Sequence, residues 1–244
     1  SKAFGGRKVL DGVDLELCQG QVVLLQGANG SGKTTLLNIL TGNLSPDTGR
    51  IELFVNENSE VFRFPRRWWQ RLNPFDHFTP ERVAEGGVGR TWQETRLFQS
   101  LTLIDNVTVG KPKHPGENPC KSLFFPGKVS NAEKVAKDEA SILLHSLGLT
   151  DRDQSSADMI SLGQTKRVAI ARAINAGAKI LFLDEPLAGL DAQGVDSVLH
   201  LLQSIAKAHQ ITMVIIEHIW NAYHIKRLAD TLWRLEDGKV FFFF

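Results

Sequence analysis

Val22-Val23-Leu24-Leu25-Gln26-Gly27-Ala28-Asn29-Gly30-Ser31-Gly32-Lys33-Thr34-Thr35-Leu36-Leu37 passes from an unbroken apolar run through three glycines into a Lys-Thr-Thr sequence. Four apolar residues bounded by Gly20 and Gly27 suit a strand buried on both faces of a parallel sheet. The residues after the last glycine predict a helix from about Gly32 to Leu40, stopped near Gly42. Between strand and helix, Gly27 to Thr34 fits the spacing of a phosphate-binding loop. Glycines let successive backbone N–H groups turn inward as a concave nest for phosphate oxygens, and the helix N-terminus adds partial positive charge. Lys33 would reach the terminal phosphates and the Thr34 hydroxyl would hold Mg²⁺. Asn29, Gly30, Ser31 and Thr35 complete the cradle. The bland alternative is a merely glycine-rich turn; the strand before it and the helix after it argue against that.

Further along, Ile180-Leu181-Phe182-Leu183 is a second wholly apolar run, and it ends in Asp184-Glu185. Ile211 to Ile216 is a third, with a predicted helix from Gln193 to His209 between them. Strand–helix–strand alternation with buried strands predicts an α/β core built on a parallel sheet. In such sheets the strand C-termini line the ligand crevice, so both acids would emerge beside the phosphate loop. Asp184 would hold Mg²⁺ through water, and Glu185 would orient or deprotonate an attacking water. His218 follows the third strand at the same kind of edge, pointing towards the terminal phosphate. Alternation at Val13, Leu15 and Leu17 predicts a half-buried strand over 9–17. A turn at Pro46-Asp47-Thr48-Gly49 leads into a strand over 50–55, and helices are expected at about 131–147 and 161–176. From 56 to 89 the pattern is lost in a stretch rich in Arg, Pro and aromatic residues.

Composition limits what such a site serves. The chain has 244 residues, 42% of them hydrophobic and 23% charged, enough for one large domain or a domain with a subdomain. A net charge of +1 gives a nucleic-acid partner no support. Cys18 and Cys120 lie far apart and form no metal-ligand pattern, so they read as free thiols. No apolar run is long enough to cross a bilayer and no signal peptide opens the chain, so a position in the cytosol or docked on a membrane from the cytosolic side is expected. Both ends read as cut: the opening residues look like the end of a strand, and Phe241 to Phe244 like a strand stopped short.

Ile160-Ser161-Leu162-Gly163-Gln164, followed by Lys166-Arg167-Val168-Ala169-Ile170-Ala171-Arg172-Ala173, resembles the signature of ABC ATPases, which usually reads Leu-Ser-Gly-Gly-Gln before such a helix. Ile160 and Leu162 depart from that pattern. The resemblance implies a P-loop ABC ATPase with a RecA-like parallel-sheet core, an antiparallel β-subdomain and a helical signature subdomain. It places the core at 1–93 and 168–244 and the helical unit at 94–167. It also implies that Ser161, Gly163 and Gln164 contact nucleotide held by an opposing subunit, as does the loop Ala188-Gly189-Leu190-Asp191. Gln93 resembles the glutamine that senses the γ-phosphate, Mg²⁺ and the membrane partner, Glu217-His218 the switch histidine, and Phe4 the aromatic that stacks on adenine.

The finer match is to the ATP-binding subunits of branched-chain amino acid importers. It rests on Gly89-Arg90-Thr91-Trp92-Gln93, on Arg96-Leu97-Phe98 and on Leu101-Thr102-Leu103 with Asn106-Val107. This resemblance implies ATP hydrolysis with Mg²⁺ in a head-to-tail pair with a second ATPase subunit, coupled to membrane-spanning permease subunits and, for an importer, a solute-binding protein. The place implied is peripheral, on the cytoplasmic face of the inner membrane. A soluble ABC-class ATPase working without a membrane is the alternative, but the long coiled-coil insertions or tandem ATPase domains usual in those chains are missing here. Against the finer match, 56–85 is longer and more aromatic than expected. It reads either as an elaborated antiparallel subdomain or as a surface where Trp68, Trp69 and Arg66-Arg67 dock a partner chain or lipid headgroups.

Overall fold

A computed structural model describes residues 1–55, 58–66, 78–92, 96–112, 116, 119–217 and 219–243. The apolar runs become the centre of a six-stranded sheet. Its strands are β3 (Val22–Gln26), β6 (Val88–Thr91), β7 (Ile180–Asp184), β8 (Thr212–Ile216), β9 (Thr231–Glu236) and β10 (Lys239–Phe243), in the order β10-β9-β3-β8-β7-β6. All neighbours are parallel except β10, which returns antiparallel to β9. Continuous apolar sequence is required here because both faces are covered. Val22, Leu24, Leu181, Leu183, Met213 and Ile215 face one core. Val23, Leu25, Phe182, Val214 and Ile216 face the other.

The first core is filled by α3 (Leu103–Thr108), α5 (Pro126–Ser146), α6 (Leu162–Asn175), α7 (Ala192–His209) and α8 (Ile219–Lys226). The second is filled by α1 (Lys33–Leu40), α2 (Pro80–Glu85) and two antiparallel hairpins. These hairpins are β1 (Lys2–Phe4) with β2 (Arg7–Leu10), and β4 (Gly49–Val55) with β5 (Asn58–Phe64). A short α4 (Pro119–Phe124) precedes α5. No described helix is long and apolar enough to cross a membrane.

Two stretches differ from the sequence expectation. Residues 11–18 form no strand, although burial alternates along them, with Val13, Leu15 and Leu17 partly buried against the second core. A period of two reports which side chains face the core; it does not supply a ladder partner. Conversely, the patternless stretch holds β5, α2 and β6. Phe62, Phe64 and Phe78 are buried there, with ring centroids 5.0 Å apart for Phe62 and Phe78 and 5.5 Å for Phe64 and Phe78. Arg82 stacks its guanidinium 5.1 Å from the Phe62 centroid and pairs with Glu60 at 3.1 Å. Part of the unusual aromatic content is therefore core of an antiparallel hairpin. Trp68 and Trp69 lie outside the described residues, as does Arg67.

Candidate active site

Register fixes which residues share the edge where the chemistry is expected. Leu25 pairs with Ile216, Ile216 with Asp184, and Leu183 with Thr91, so β3, β8, β7 and β6 end side by side. Gly27, Glu217, Glu185 and Trp92 follow those ends. Gln93 and His218 come next in sequence and lie outside the described residues.

The phosphate loop is built by exclusion of side chains. A Cβ on Gly27 would stand 2.6 Å from both the Leu235 carbonyl oxygen and Ser31 Oγ. Gly32 has φ +106°, and a Cβ there would meet Val9 Cγ1 at 2.9 Å. Only glycine fits this left-handed, crowded position. Gly32 is also the N-cap of α1, which has no side-chain cap, so no capping side chain answers the donors of its first turn. Ser31 Oγ is buried with no hydrogen-bond partner among the described residues. Lys33 Nζ donates to the carbonyl oxygens of Gly27 at 2.7 Å and Ala28 at 2.9 Å. Burial pulls the Lys33 ammonium below its usual range, opposed by the charges of Glu185 and Asp184. Both acids act on the lysine of the loop, as the strand-end argument requires. Asn29, Gly30 and Thr34 are exposed around the loop, and Thr35 is half-buried behind it.

Asp184 ends β7 and is held from the neighbouring strand. Arg90 Nη2 donates to Asp184 Oδ2 at 3.1 Å and Nη1 donates to Asn38 Oδ1 of α1 at 2.7 Å, while the guanidinium lies 3.9 Å from the Trp92 ring centroid. Burial lowers the Arg90 pKa, and the Asp184 carboxylate counters it. Among the described residues no three His, Cys, Asp or Glu cluster as a metal site. A cation at this edge would find the Thr34 hydroxyl and the Asp184 carboxylate. That hard oxygen pair suits an ion which completes its shell with water and phosphate.

Glu185 has φ +50°, a left-handed conformation that costs a non-glycine residue of order 1–3 kcal/mol. Its N–H donates to the Ile216 carbonyl at 2.9 Å, and Ala188 N–H closes the turn on the Glu185 carbonyl at 3.2 Å. Two buried charged side chains hold this turn. Lys166 Nζ donates to the carbonyl oxygens of Glu185 at 3.0 Å and Ala188 at 2.7 Å. Glu217 Oε1 accepts from Leu187 N–H at 2.6 Å.

The signature residues open α6. Ser161 is its N-cap: Gln164 N–H donates to Ser161 Oγ at 3.3 Å, and Ser161 N–H donates to Gln164 Oε1 at 3.0 Å, a complete capping box. A Cβ on Gly163 would sit 3.6 Å from Leu190 Cδ2, so this helix start lies against the loop after Glu185. Asp191 caps α7, accepting from Gly194 N–H at 2.8 Å. Phe4 is half exposed at the end of β1, 5.4 Å from Lys2 Nζ, on the hairpin whose Val9 packs on Gly32. A cleft of about 320 Å³ opens beside the end of β6, lined by Arg90, Trp92, Arg96, Gly110, Arg172 and Ala173 among others.

Sequence reasoning gave no role to Arg90, Asn38, Lys166 or Glu217. Two of them leave a readable signal. Arg90 is a charge inside a strand beside the acidic strand, and Lys166 lies on the buried side of α6 with Ala169 and Ile170. Charges in such places need partners.

The chain is similar to known proteins over most of its length. Residues 10–188 match the family described as ABC transporter. The high-affinity branched-chain amino acid transport ATP-binding protein BraF of Pseudomonas aeruginosa is 34% identical over 215 residues, covering 88% of this chain and 78% of its own. The probable branched-chain amino acid transport ATP-binding protein LivG of Methanocaldococcus jannaschii is 35% identical over 241 residues, covering 98% and 84%. A crystal structure of a nucleotide-free ATP-binding cassette from an ABC transporter superposes with a TM-score of 0.71 at 28% identity, covering 98% of this chain and 86% of its own. The chain belongs to the ABC transporter family, as an ATP-binding and ATP-hydrolysing subunit related to those of branched-chain amino acid transporters.

Proposed function

We propose that this subunit powers import of amino acids or related small polar solutes, by ATP-driven closure of a head-to-tail pair of ATPase subunits. The observation that carries the catalytic part is the strained, clamped turn at Glu185 on the same sheet edge as the phosphate loop. The amides of residues 27–34 and the Lys33 ammonium hold the β- and γ-phosphates of ATP. Glu185 takes a proton from the attacking water, whose oxygen bonds to the γ-phosphorus as the bond to the β–γ bridging oxygen breaks. His218 holds the terminal oxygen or the attacking water, and Phe4 stacks on adenine. Thr34, Asp184 (through water) and Gln93 would hold Mg²⁺, which would neutralise charge on the phosphate oxygens.

Closure is assigned to the other set of residues. Ser161, Gly163 and Gln164 at the start of α6, with Asp191 beyond the Glu185 turn, meet the nucleotide held by the opposing subunit. Each chain then contributes half of two sites, and only triphosphate completes both. The helical unit at 94–167 and the Gln93 loop transmit closure to membrane-spanning permease subunits; the cleft beside β6, lined by Arg90, Trp92 and Arg96, gives such a partner a concave surface. The subunit works peripherally on the cytoplasmic side of the membrane, with a solute-binding protein delivering cargo. The cargo assignment rests on relatedness to the branched-chain amino acid proteins, because the ATPase itself never touches cargo.

The test compares wild type with Glu185→Gln, following turnover and size in solution with and without Mg·ATP. The variant is expected to bind ATP, to lose turnover and to dimerise only with ATP. A variant that hydrolyses at the wild-type rate removes Glu185 as the base. One that stays monomeric with ATP removes the homodimer and calls for a second, different ATPase.

A further inference from the structure

Lys166 is an unusual residue to find where it is. Its side chain is buried, 6% exposed, on the apolar stripe of α6. Burial pulls its pKa down, with the charges of Glu217 and Glu185 pulling it back up. Its ammonium is spent on two main-chain carbonyls of one turn, those of Glu185 and Ala188. From the opposite side Glu217, at the end of β8, takes the Leu187 N–H of the same turn. The left-handed backbone at Glu185 decides where its Cα–Cβ bond points, so whatever fixes this turn also aims the carboxylate. The contact between helix and turn continues towards the helix start: a Cβ on Gly189 would meet Leu162 Cδ2 at 3.0 Å.

We propose that Lys166 is a positioning residue for Glu185, through which the placement of α6 sets the aim of the carboxylate. This rests on the reading of Glu185 as the base. A single helix then presents Ser161 at its first turn and grips the chain's own hydrolytic turn one turn later. Movement of α6 when its start engages an anion is passed to Glu185 by two hydrogen bonds, with no loop in between. Glu217 follows a strand of the sheet, so the turn is held by one residue of the helix and one at the sheet's edge.

The test uses Lys166→Met, which keeps the buried stem and removes the donors, and Lys166→Gln, which restores neutral N–H donors. Both are measured in the full chain, beside wild type, for kcat, for KM, for affinity towards a fluorescent ATP analogue and for thermal unfolding. Lys166→Met is expected to lower kcat by about 10–100-fold, the range that misplacing a reacting group produces, with nucleotide affinity changed by less than about twofold. Lys166→Gln should recover an intermediate kcat. In a Glu185→Ala background, Lys166→Met should lower the residual rate no further, because no carboxylate is left to aim.

A merely structural lysine would depress both backgrounds alike, and that result overturns the proposal. So does wild-type kcat in Lys166→Met. Should Lys166→Met not fold, Lys166→Gln decides: a reduced kcat at unchanged nucleotide affinity supports the role, and a wild-type kcat overturns it. If instead Glu185→Gln keeps wild-type turnover, it is the assignment of the base that fails, and the lysine variants are not needed to see it.

Discussion

The two helices to which we assign nucleotide contacts begin in opposite ways. At α1 the N-cap is Gly32, with no side chain to satisfy the first-turn amides and a Cβ excluded by Val9. At α6 the N-cap is Ser161, whose hydroxyl and whose partner Gln164 satisfy one amide each. The remaining capped starts resemble α6: Thr79 at α2, Thr102 at α3 and Asp191 at α7 each accept from an amide of the first turn. α5 also starts without a side-chain cap, but it opens on Pro126, which has no amide to offer. At α1 the first-turn amides are all present and unanswered by a side chain, whereas a capped start has already answered one. The amides at the start of α1 are therefore left open by their own chain. The start of α6 is a finished helix end that would engage an anion only by sharing or exchanging its cap.

The widest separation between the two should come from Lys33→Ala. Removing hydrogen bonds from a cation to phosphate should weaken ATP binding about 100-fold, read by titration with a fluorescent nucleotide. Stability should move by only about 1 kcal/mol, since the lysine otherwise bonds two loop carbonyls. An affinity within threefold of wild type would break the comparison at its stronger end. Gly32→Ala should follow. A methyl forced into a left-handed position against Val9 should cost about 2 kcal/mol in urea unfolding and weaken nucleotide binding as the loop shifts. If Ala is tolerated without loss, the loop is not shaped by side-chain exclusion.

Ser161→Ala should act on the other axis. Losing a capping hydroxyl costs about 1 kcal/mol of stability, while ATP affinity of the isolated chain stays as it was. The ATP-dependent pairing expected of Glu185→Gln should nonetheless weaken in the double variant. A Ser161→Ala chain that binds its own ATP more weakly would place both helix starts on one nucleotide, and the difference between them would lose its meaning.

Legibility in the sequence divides along the same line. The strand–loop–helix at 22–40 and the acidic strand at 180–185 are legible because contiguous residues carry both the fold and the chemistry. Strand burial, loop spacing and helix start are all local. Arg90 with Asn38 and Asp184, and Lys166 with Glu185 and Ala188, are pairings across sequence separations that no local period reports. The hairpin at β5 is hard to read because Glu60 interrupts the face that carries Phe62 and Phe64, Val61 stands on the exposed face, and its partner is known only through the register with β4. Residues 13–17 misled for the converse reason, as alternating burial arose there without a neighbouring strand.

The smallest expected effect tests whether the capped helix starts are indifferent to nucleotide, as the comparison requires. At α3, Thr102 Oγ1 donates to Asp105 Oδ2 at 2.6 Å and accepts from Asp105 N–H at 3.2 Å, and Lys137 stands 3.2 Å from the same carboxylate. The Thr102 hydroxyl first, and Lys137 after it, hold Asp105 below its ordinary value of 3.8. A carboxylate with a depressed pKa adds stability that is complete above its unfolded value and is lost as pH falls through the folded one. Asp105→Asn should therefore cost about 0.5 kcal/mol at neutral pH, a partly exposed pair being strongly screened. The gap to wild type should close as the pH is taken below 3.8. α1 carries no acidic residue in its first turn and has no such gap to lose. Urea unfolding of both chains from neutral to acid pH reads the gap. Repeated with ATP at neutral pH, the gap should be unchanged, because ATP stabilises both chains equally if it binds only at the start of α1. A gap that widens with ATP would mean that the α3 cap senses the nucleotide site, and a satisfied cap would no longer mark a helix start as purely structural.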